Sequence, residues 1–516
     1  MTRRTYLAGI DLGSTSLKSV IYDLEGNVVA SGSRPTERFH PDTAHPTWTV
    51  WEPSQIWGGA AAAVKDAVNA LDDPSAVSAV AVTGLGMDGV PVDENGAWLY
   101  PFISWLCPRT EPQREWWEKT IGSGKTFEIG GNTLWAFGTA LRILWMAEHE
   151  PEVLRRTRKW LLIEDFVNFM LCGSEATDYS MASCTLLFDQ ANRCWSEQLL
   201  RLSGIDGRLL CDPRPSGSVL GEVTRAAAEA TGLPEGTPVV LGGHDYLCGA
   251  LPVGALSPGV FLDVSGTWEV VQATIPSPVL TPELRSIGAT VECHVARDMY
   301  SVMGAAISAE MLEWHRRELG SEARSRAAAR GCADWETLME EAAVSPVGSR
   351  GVMFLPHMGG SGCPVVDSRS MGALVGLSGS ATRGDLLRAL IEGLDYQLLD
   401  IIREMKRHVG FEMKRLVVAG GAARNDFWLQ NKADVVGQRI VVPDVEDASP
   451  LGAAMLAGIG VGLYRDETDA FEHVRKPART FDPDGAAAAR YAELFPIYKS
   501  LYPALKPVSH AVAGMM

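Results

Sequence analysis

Gly9-Ile10-Asp11-Leu12-Gly13-Ser14-Thr15-Ser16 is the stretch on which the reading of this chain turns. It follows the apolar run Tyr6 to Ile10 and precedes another, Leu17 to Tyr22. Two apolar runs joined by Gly, Ser and Thr predict a β-hairpin with a tight turn. Such a turn offers backbone N–H groups and hydroxyls to a phosphate, and Asp11 at its entrance can hold a metal ion. Far downstream, the valine-rich segment Thr237 to Leu241 predicts a strand that runs into Gly242-Gly243-His244-Asp245. Asp245 is expected in a glycine-flanked loop there. A phosphate grip and a placed carboxylate are the two parts that phosphoryl transfer to a hydroxyl requires.

The pattern restarts near residue 257. Gly259 to Glu269 again reads strand, small-residue turn, strand, with Gly266 and Thr267 in the turn and the second strand running to Thr274. This is a repeat of architecture rather than of sequence, and it predicts two lobes, 1–256 and 257–516, facing a shared cleft. At 516 residues the chain is also too long for one core. A third loop, Gly420 to Asn425, follows the buried strand Leu416 to Ala419 and precedes a helix. Any one of these turns could be an ordinary tight turn; three of them suit one nucleotide. Gly122-Ser123-Gly124-Lys125-Thr126 lacks the first glycine and the preceding strand of a P-loop, and is not read as one. Helices are expected over Pro53 to Asn69, over Gly138 to Phe169 with a break at Pro151, and over Asp484 to Leu505.

A formal net charge of -17 argues against a nucleic-acid or anionic-membrane surface, since both attract basic patches. Nine cysteines, none spaced as Cys-x-x-Cys, read as reduced, mostly buried thiols of a cytoplasmic protein. The start Met1-Thr2-Arg3-Arg4 leads into an apolar stretch too short for a secretory leader. His244 reads as a packing or orienting neighbour of Asp245, and Asp178 as a structural cap. Asp88, in the glycine-rich loop Gly84 to Gly89, is either a turn aspartate or an acceptor for sugar hydroxyls. Trp105 is either a core group or a face for a sugar's C–H groups, and Arg109 pairs either with a sugar oxygen or with a carboxylate of the protein.

These motifs, in this order, resemble the FGGY carbohydrate kinases. The resemblance runs from about residue 5 to about residue 465, and is carried as well by Thr177 to Ser183, Gly376-Leu377-Ser378, Gly420 to Asn425 followed by Trp428, Gln430, Ala433 and Asp434, and Leu451 to Ala454. Within the family the chain is similar to the L-fuculokinases, through Gly86 to Gly89, Leu99-Tyr100-Pro101, Ile103-Ser104-Trp105, Cys107 to Thr110, Gly243-His244-Asp245 and Ser265 to Glu269. Asp447-Ala448-Ser449-Pro450 departs from it, with proline where most relatives have alanine or leucine. The resemblance implies an α/β fold of two ribonuclease-H/actin-like domains. It also implies transfer of the γ-phosphate of ATP, with Mg²⁺, to a hydroxyl of a small sugar or polyol, such as C1 of a ketose. Asp245 would then be the general base, and Asp11, with Asp245 nearby, would hold Mg²⁺. Ser14, Thr15 and Ser16 would grip the phosphates from one lobe and Gly266 and Thr267 from the other. Gly304 would pack against adenosine, and Gly421 and Asn425 would contact adenine and ribose. Met87, Asp88, Trp105, Arg109 and Trp268 would line the sugar site. An actin- or chaperone-like ATPase switch and a silent sugar-binding regulator stay open as rival classes, as does the oligomeric state, a homodimer included.

Overall fold

The computed structural model describes residues 4–515; the first three residues, on which the reading of the N-terminal start partly rests, lie outside it. Two mixed sheets organise the molecule. The first runs, edge to edge, Val219–Glu222, Pro238–His244, Val77–Gly84, Tyr6–Leu12, Ser16–Tyr22 and Val28–Pro35. Tyr6–Leu12 pairs antiparallel with Ser16–Tyr22, as the hairpin reading expects, and parallel with Val77–Gly84. Pro238–His244 lies parallel on the other side of Val77–Gly84. The register sets Asp11 opposite Thr83 and His244 opposite Gly84. Asp11 and Asp245 therefore leave the carboxyl ends of strands that flank one common neighbour, the edge at which open α/β sheets bind ligands.

The second sheet runs Thr290–Cys293, Tyr300–Ile307, Trp268–Ile275, Val260–Ser265, Arg415–Gly420, Ile440–Pro443 and Ala478–Phe481. Here Ser265 is opposite Gly420 in parallel pairing, which brings the second hairpin turn and the Gly420 loop to the same edge. Each sheet has its own apolar core, with Trp51, Val80, Leu141 and Phe166 in the first and Phe261, Val271, Leu398 and Leu416 in the second. In the helix Pro53–Asn69, Ile56, Ala60, Ala63, Val64, Ala67 and Val68 form the buried stripe that a 3.6-residue period predicts.

Two expectations need correction. The helix expected over 138–169 is divided: the helices Thr139–His149 and Pro151–Arg156 are followed by the strand Lys159–Leu162, paired with Gly89–Val92, and then the helix Ile163–Cys172. Asp245 is not in a loop, because the strand extends to His244 and Asp245 opens the short helix Asp245–Ala250. The late helix Ala448–Gly460 packs on the first sheet, with Leu451, Ala454 and Leu456 among Leu7, Val20 and Val240. That helix is buried from Pro450 through Gly458 and has no polar face to give to water, so it needs cover on all sides. Its proline falls in the first turn, where no intrahelical N–H is lost. A side chain at Gly9 would come 1.9 Å from the Pro450 carbonyl oxygen, so only glycine permits this approach.

Candidate active site

The backbone leading to Asp245 is tied down on every side. Thr83 Oγ1 donates to the Gly243 carbonyl at 2.6 Å, the Gly242 N–H to Glu164 at 3.2 Å, and the His244 N–H to Ser180 Oγ at 2.9 Å. Asp178 caps the helix Tyr179–Ser183 and accepts from Ser180, the structural role expected of it. One oxygen of Asp245 accepts the Tyr246 N–H at 2.6 Å, while the other has no hydrogen-bond partner among the described residues. About a third of the side chain, 36 %, stays exposed. Burial raises the Asp245 carboxyl above its ordinary range, and His244, 3.7 Å away, opposes that rise.

Asp11 has a buried Oδ1 without a hydrogen-bond partner. Its pKa is raised to about 7, by burial first and then by the charge of Asp245, with Lys18 opposing and Asp447 adding to the rise. An orphaned carboxylate oxygen beside a second carboxylate is what a hard divalent cation relieves, so these residues fit Mg²⁺. Lys18 pairs with Asp447 at 2.6 Å. The Ser14–Ser16 turn is closed by Gly13 N–H to Ser16 O at 3.1 Å and braced by Thr36 Oγ1 on Gly13 O.

On the second sheet, Gly266, Thr267, Gly421, Asn425 and Trp335 line one cavity of about 890 Å³, within the size range of cofactor sites. Beneath its hairpin, Lys432 lies fully buried, 2.6 Å from Asp263 and hydrogen-bonded to Glu269 and Ser265. Burial works against its charge, but Asp263 and Glu269 outweigh it and hold the ammonium well above its ordinary pKa. Gly304 is not part of this cavity. It is buried on the strand Tyr300–Ile307, where an added Cβ would meet Cys363 Sγ at 2.7 Å, so its smallness admits Cys363 rather than adenosine.

A second, smaller cavity of about 80 Å³ lies between Met87, Trp135 and Phe137 of the first half and Thr290, Glu292 and Met303 of the second. Met87 takes a left-handed backbone, φ 73°, and its carbonyl accepts from Thr139 at 2.6 Å. Trp105 is half-buried edge-on to Phe137. Of the expected sugar contacts Met87 alone lines this cavity; Trp105, Asp88, Arg109 and Trp268 do not. Asp88 is fully buried and accepts from Trp51 Nε1 at 2.7 Å, from the Trp105 N–H at 3.1 Å and from Arg142 at 2.9 Å. Burial raises its pKa to about 6 against the pull of Arg142. Its carboxylate fastens the loops that carry Met87 and Trp105 from below. Arg109 is sandwiched by Trp48 and Trp145, 4.3 and 5.0 Å from their ring centroids. Trp268 lies largely exposed at the start of Trp268–Ile275, outside both cavities.

Sequence reasoning missed Arg142, Lys432, Cys184 and Glu292. Each acts through a partner distant in the chain, and none stands in a glycine-rich turn. Glu292 accepts from Tyr246 Oη at 2.7 Å and faces His244 at 3.4 Å. Burial alone would raise the Glu292 carboxyl, but hydrogen bonds from His244 and Tyr246 hold it below the usual range. At Gly86, an added Cβ would meet the His244 ring at 3.0 Å and Cys184 Sγ at 3.1 Å, so a larger residue in the loop that carries Met87 and Asp88 would press directly on this cluster.

Residues 6–252 match the FGGY family of carbohydrate kinases, N-terminal domain, and residues 263–461 match the C-terminal domain of that family. The chain is 31% identical to a xylulose kinase from Lactococcus lactis over 98% of each protein. It is 29% identical to an L-fuculokinase from Escherichia coli, covering 92% of this chain and 96% of that one. The structure of a xylulose kinase from Rhodospirillum rubrum superposes with a TM-score of 0.88 at 27% identity, over 98% of this chain and all of that one. The chain belongs to the FGGY family of carbohydrate kinases, phosphotransferases that act on sugar hydroxyls, and it has their two-domain, actin-like α/β fold.

Proposed function

We propose that this FGGY kinase transfers the γ-phosphate of ATP to a hydroxyl of a small ketose, the C1 hydroxyl of a sugar such as L-fuculose, with Asp245 as the base. The observation that carries this is the state of the Asp245 carboxylate. One oxygen is fixed by a backbone N–H, the other has no hydrogen-bond partner among the described residues, and about a third of the side chain is exposed. A carboxylate so held accepts the hydroxyl proton as the oxygen attacks phosphorus, and its main work is orientation. Asp11, with Asp245 nearby, would hold Mg²⁺, which when bound neutralises charge on the phosphate oxygens. Ser14, Thr15, Ser16, Gly266 and Thr267 would grip the phosphates, and Gly421 and Asn425 the nucleoside. Met87, Trp105 and the Trp135–Phe137 wall would receive the sugar, and closure of the lobes would keep water from competing as acceptor.

The ketose reading rests on the similarity of the loops around Met87, Trp105 and His244 to L-fuculokinases. Relatives named for xylulose stand at the same level of identity, so a xylulokinase-like or polyol-kinase activity is the second reading. A coupled ADP-release screen over L-fuculose, D-xylulose, D- and L-ribulose, L-rhamnulose, glycerol and erythritol separates them. L-fuculose, or a ketose sharing its hydroxyl pattern, is expected to lead. Glycerol or D-xylulose ahead by a wide margin overturns the L-fuculose assignment, and ADP release independent of any sugar overturns the ketose acceptor altogether.

A further inference from the structure

Cys184, His244 and Glu292 are all buried, and their donor atoms lie within 4.8 Å of one another. Cys184 Sγ is 3.3 Å from His244 Nδ1 and 3.4 Å from Glu292 Oε1, and His244 Nδ1 is 3.4 Å from Glu292 Oε2. Zinc takes Cys sulfur at about 2.3 Å and His nitrogen or carboxylate oxygen at about 2.0–2.2 Å, so the donors of a tetrahedral site stand roughly 3.4–3.6 Å apart. Cys184 Sγ and His244 Nδ1 stand close to that spacing already, and Glu292 brings one carboxylate oxygen to each of them, so a small turn of its carboxylate completes the set. We propose that they form a site for a thiophilic divalent cation of the zinc class, with Cys184 as thiolate, His244 through Nδ1 and Glu292 through its carboxylate.

The donor set fits the class. Sulfur and imidazole select zinc-like ions over Mg²⁺, which the all-oxygen pair Asp11 and Asp245 suits better. Thiolate and carboxylate together neutralise the dication; binding breaks the Cys184 S–H bond and releases any proton on His244 Nδ1 to solvent. Three protein ligands leave one tetrahedral position open, and Cys184 and Glu292 both line the cavity that holds Met87. Outer partners are present as well: Tyr246 Oη donates to Glu292 at 2.7 Å, as second partners orient metal ligands elsewhere.

The ligands come from both halves of the molecule. Cys184 caps the helix Tyr179–Ser183, His244 ends a strand of the first sheet, and Glu292 lies on the strand Thr290–Cys293 of the second. An ion here pins the sheets together one residue from Asp245 and withdraws two side chains from the Met87 cavity. Zinc-class metal therefore acts as an inhibitor of this kinase.

Titration of the metal-free full-length protein with Cd²⁺, which reports thiolate ligation by an ultraviolet charge-transfer band, tests the site without any sugar. The band is expected to saturate at one equivalent, and Zn²⁺ is expected to displace Cd²⁺ and raise Tm. Cys184→Ala and Cys184→Ser should each abolish the band, whereas Cys194→Ala, removing the exposed thiol, should leave it intact. Glu292→Gln should keep the band but weaken affinity by more than the roughly 10–100-fold that loss of an outer partner costs a metal site. No band at one equivalent, or a band that survives both Cys184 substitutions, overturns the site. Stoichiometric Zn²⁺ binding that leaves sugar-dependent ADP release unchanged overturns its inhibitory role.

Discussion

Arg142 Nη2 lies 2.9 Å from Asp88 Oδ1, and neither side chain reaches solvent. The same guanidinium donates to the Ile103 carbonyl, and the same carboxylate receives Trp51 and the Trp105 N–H. The pair thus fastens together the loops that carry Met87, Trp105 and Phe137. Replacing Asp88 by Ala leaves a buried, uncompensated guanidinium and is expected to cost about 3–5 kcal/mol of stability. Urea unfolding measures this, and Asp88→Asn, which keeps an acceptor, should lose less. A stable Asp88→Ala enzyme with only its sugar preference altered would return Asp88 to a direct role in sugar binding.

Lys432 is the corresponding fastener beneath the hairpin of the second sheet, fully buried between Asp263 and Glu269. Lys432→Met removes the cation that pairs with two buried carboxylates. The expected loss is again about 3–5 kcal/mol, and the KM for ATP should rise because Gly266 and Thr267 lose their support. A Lys432→Met protein of wild-type stability and unchanged KM for ATP contradicts the role.

Hairpin turns and strand ends were legible because their signals are local. Apolar runs beside Gly, Ser and Thr predict Ser14–Ser16, Gly266–Thr267 and the Gly420 loop without knowledge of anything distant. Pairings across the chain carry no such signal. Arg142 meets Asp88 54 residues away, and Lys432 meets Asp263 169 residues away. The surroundings of Arg109 were hidden for the same reason, since Trp48 and Trp145 close over it only in the folded chain. A glycine's smallness is visible in sequence, but what it admits is not: Gly304 makes room for Cys363.

Asp11 supplies a pH dependence. Its pKa of about 7, set by burial and then by Asp245, lies above the roughly 3.9 of an unfolded aspartate, so the folded chain binds that proton more tightly. The stability it contributes is full below about pH 4 and is lost as pH rises through about 7. Mg²⁺ must displace the proton, so its affinity should fall about tenfold for each pH unit below 7. Calorimetric Mg²⁺ titrations of the ADP complex from about pH 6 to 8 check this, with Asp11→Asn expected to lose both the slope and most of the affinity. A flat affinity across that range contradicts the assignment of Asp11 to the metal.

The most direct test of the account compares sugar-dependent ADP release by the wild type and by Asp245→Asn, using the best sugar from the screen. Asparagine keeps the acceptor for the Tyr246 N–H but cannot take the hydroxyl proton. Turnover is predicted to fall about 10²–10⁴-fold, with the KM for sugar and the affinity for ADP little changed. Near-normal turnover by Asp245→Asn would contradict Asp245 as the base and, with it, the mechanism proposed for this kinase.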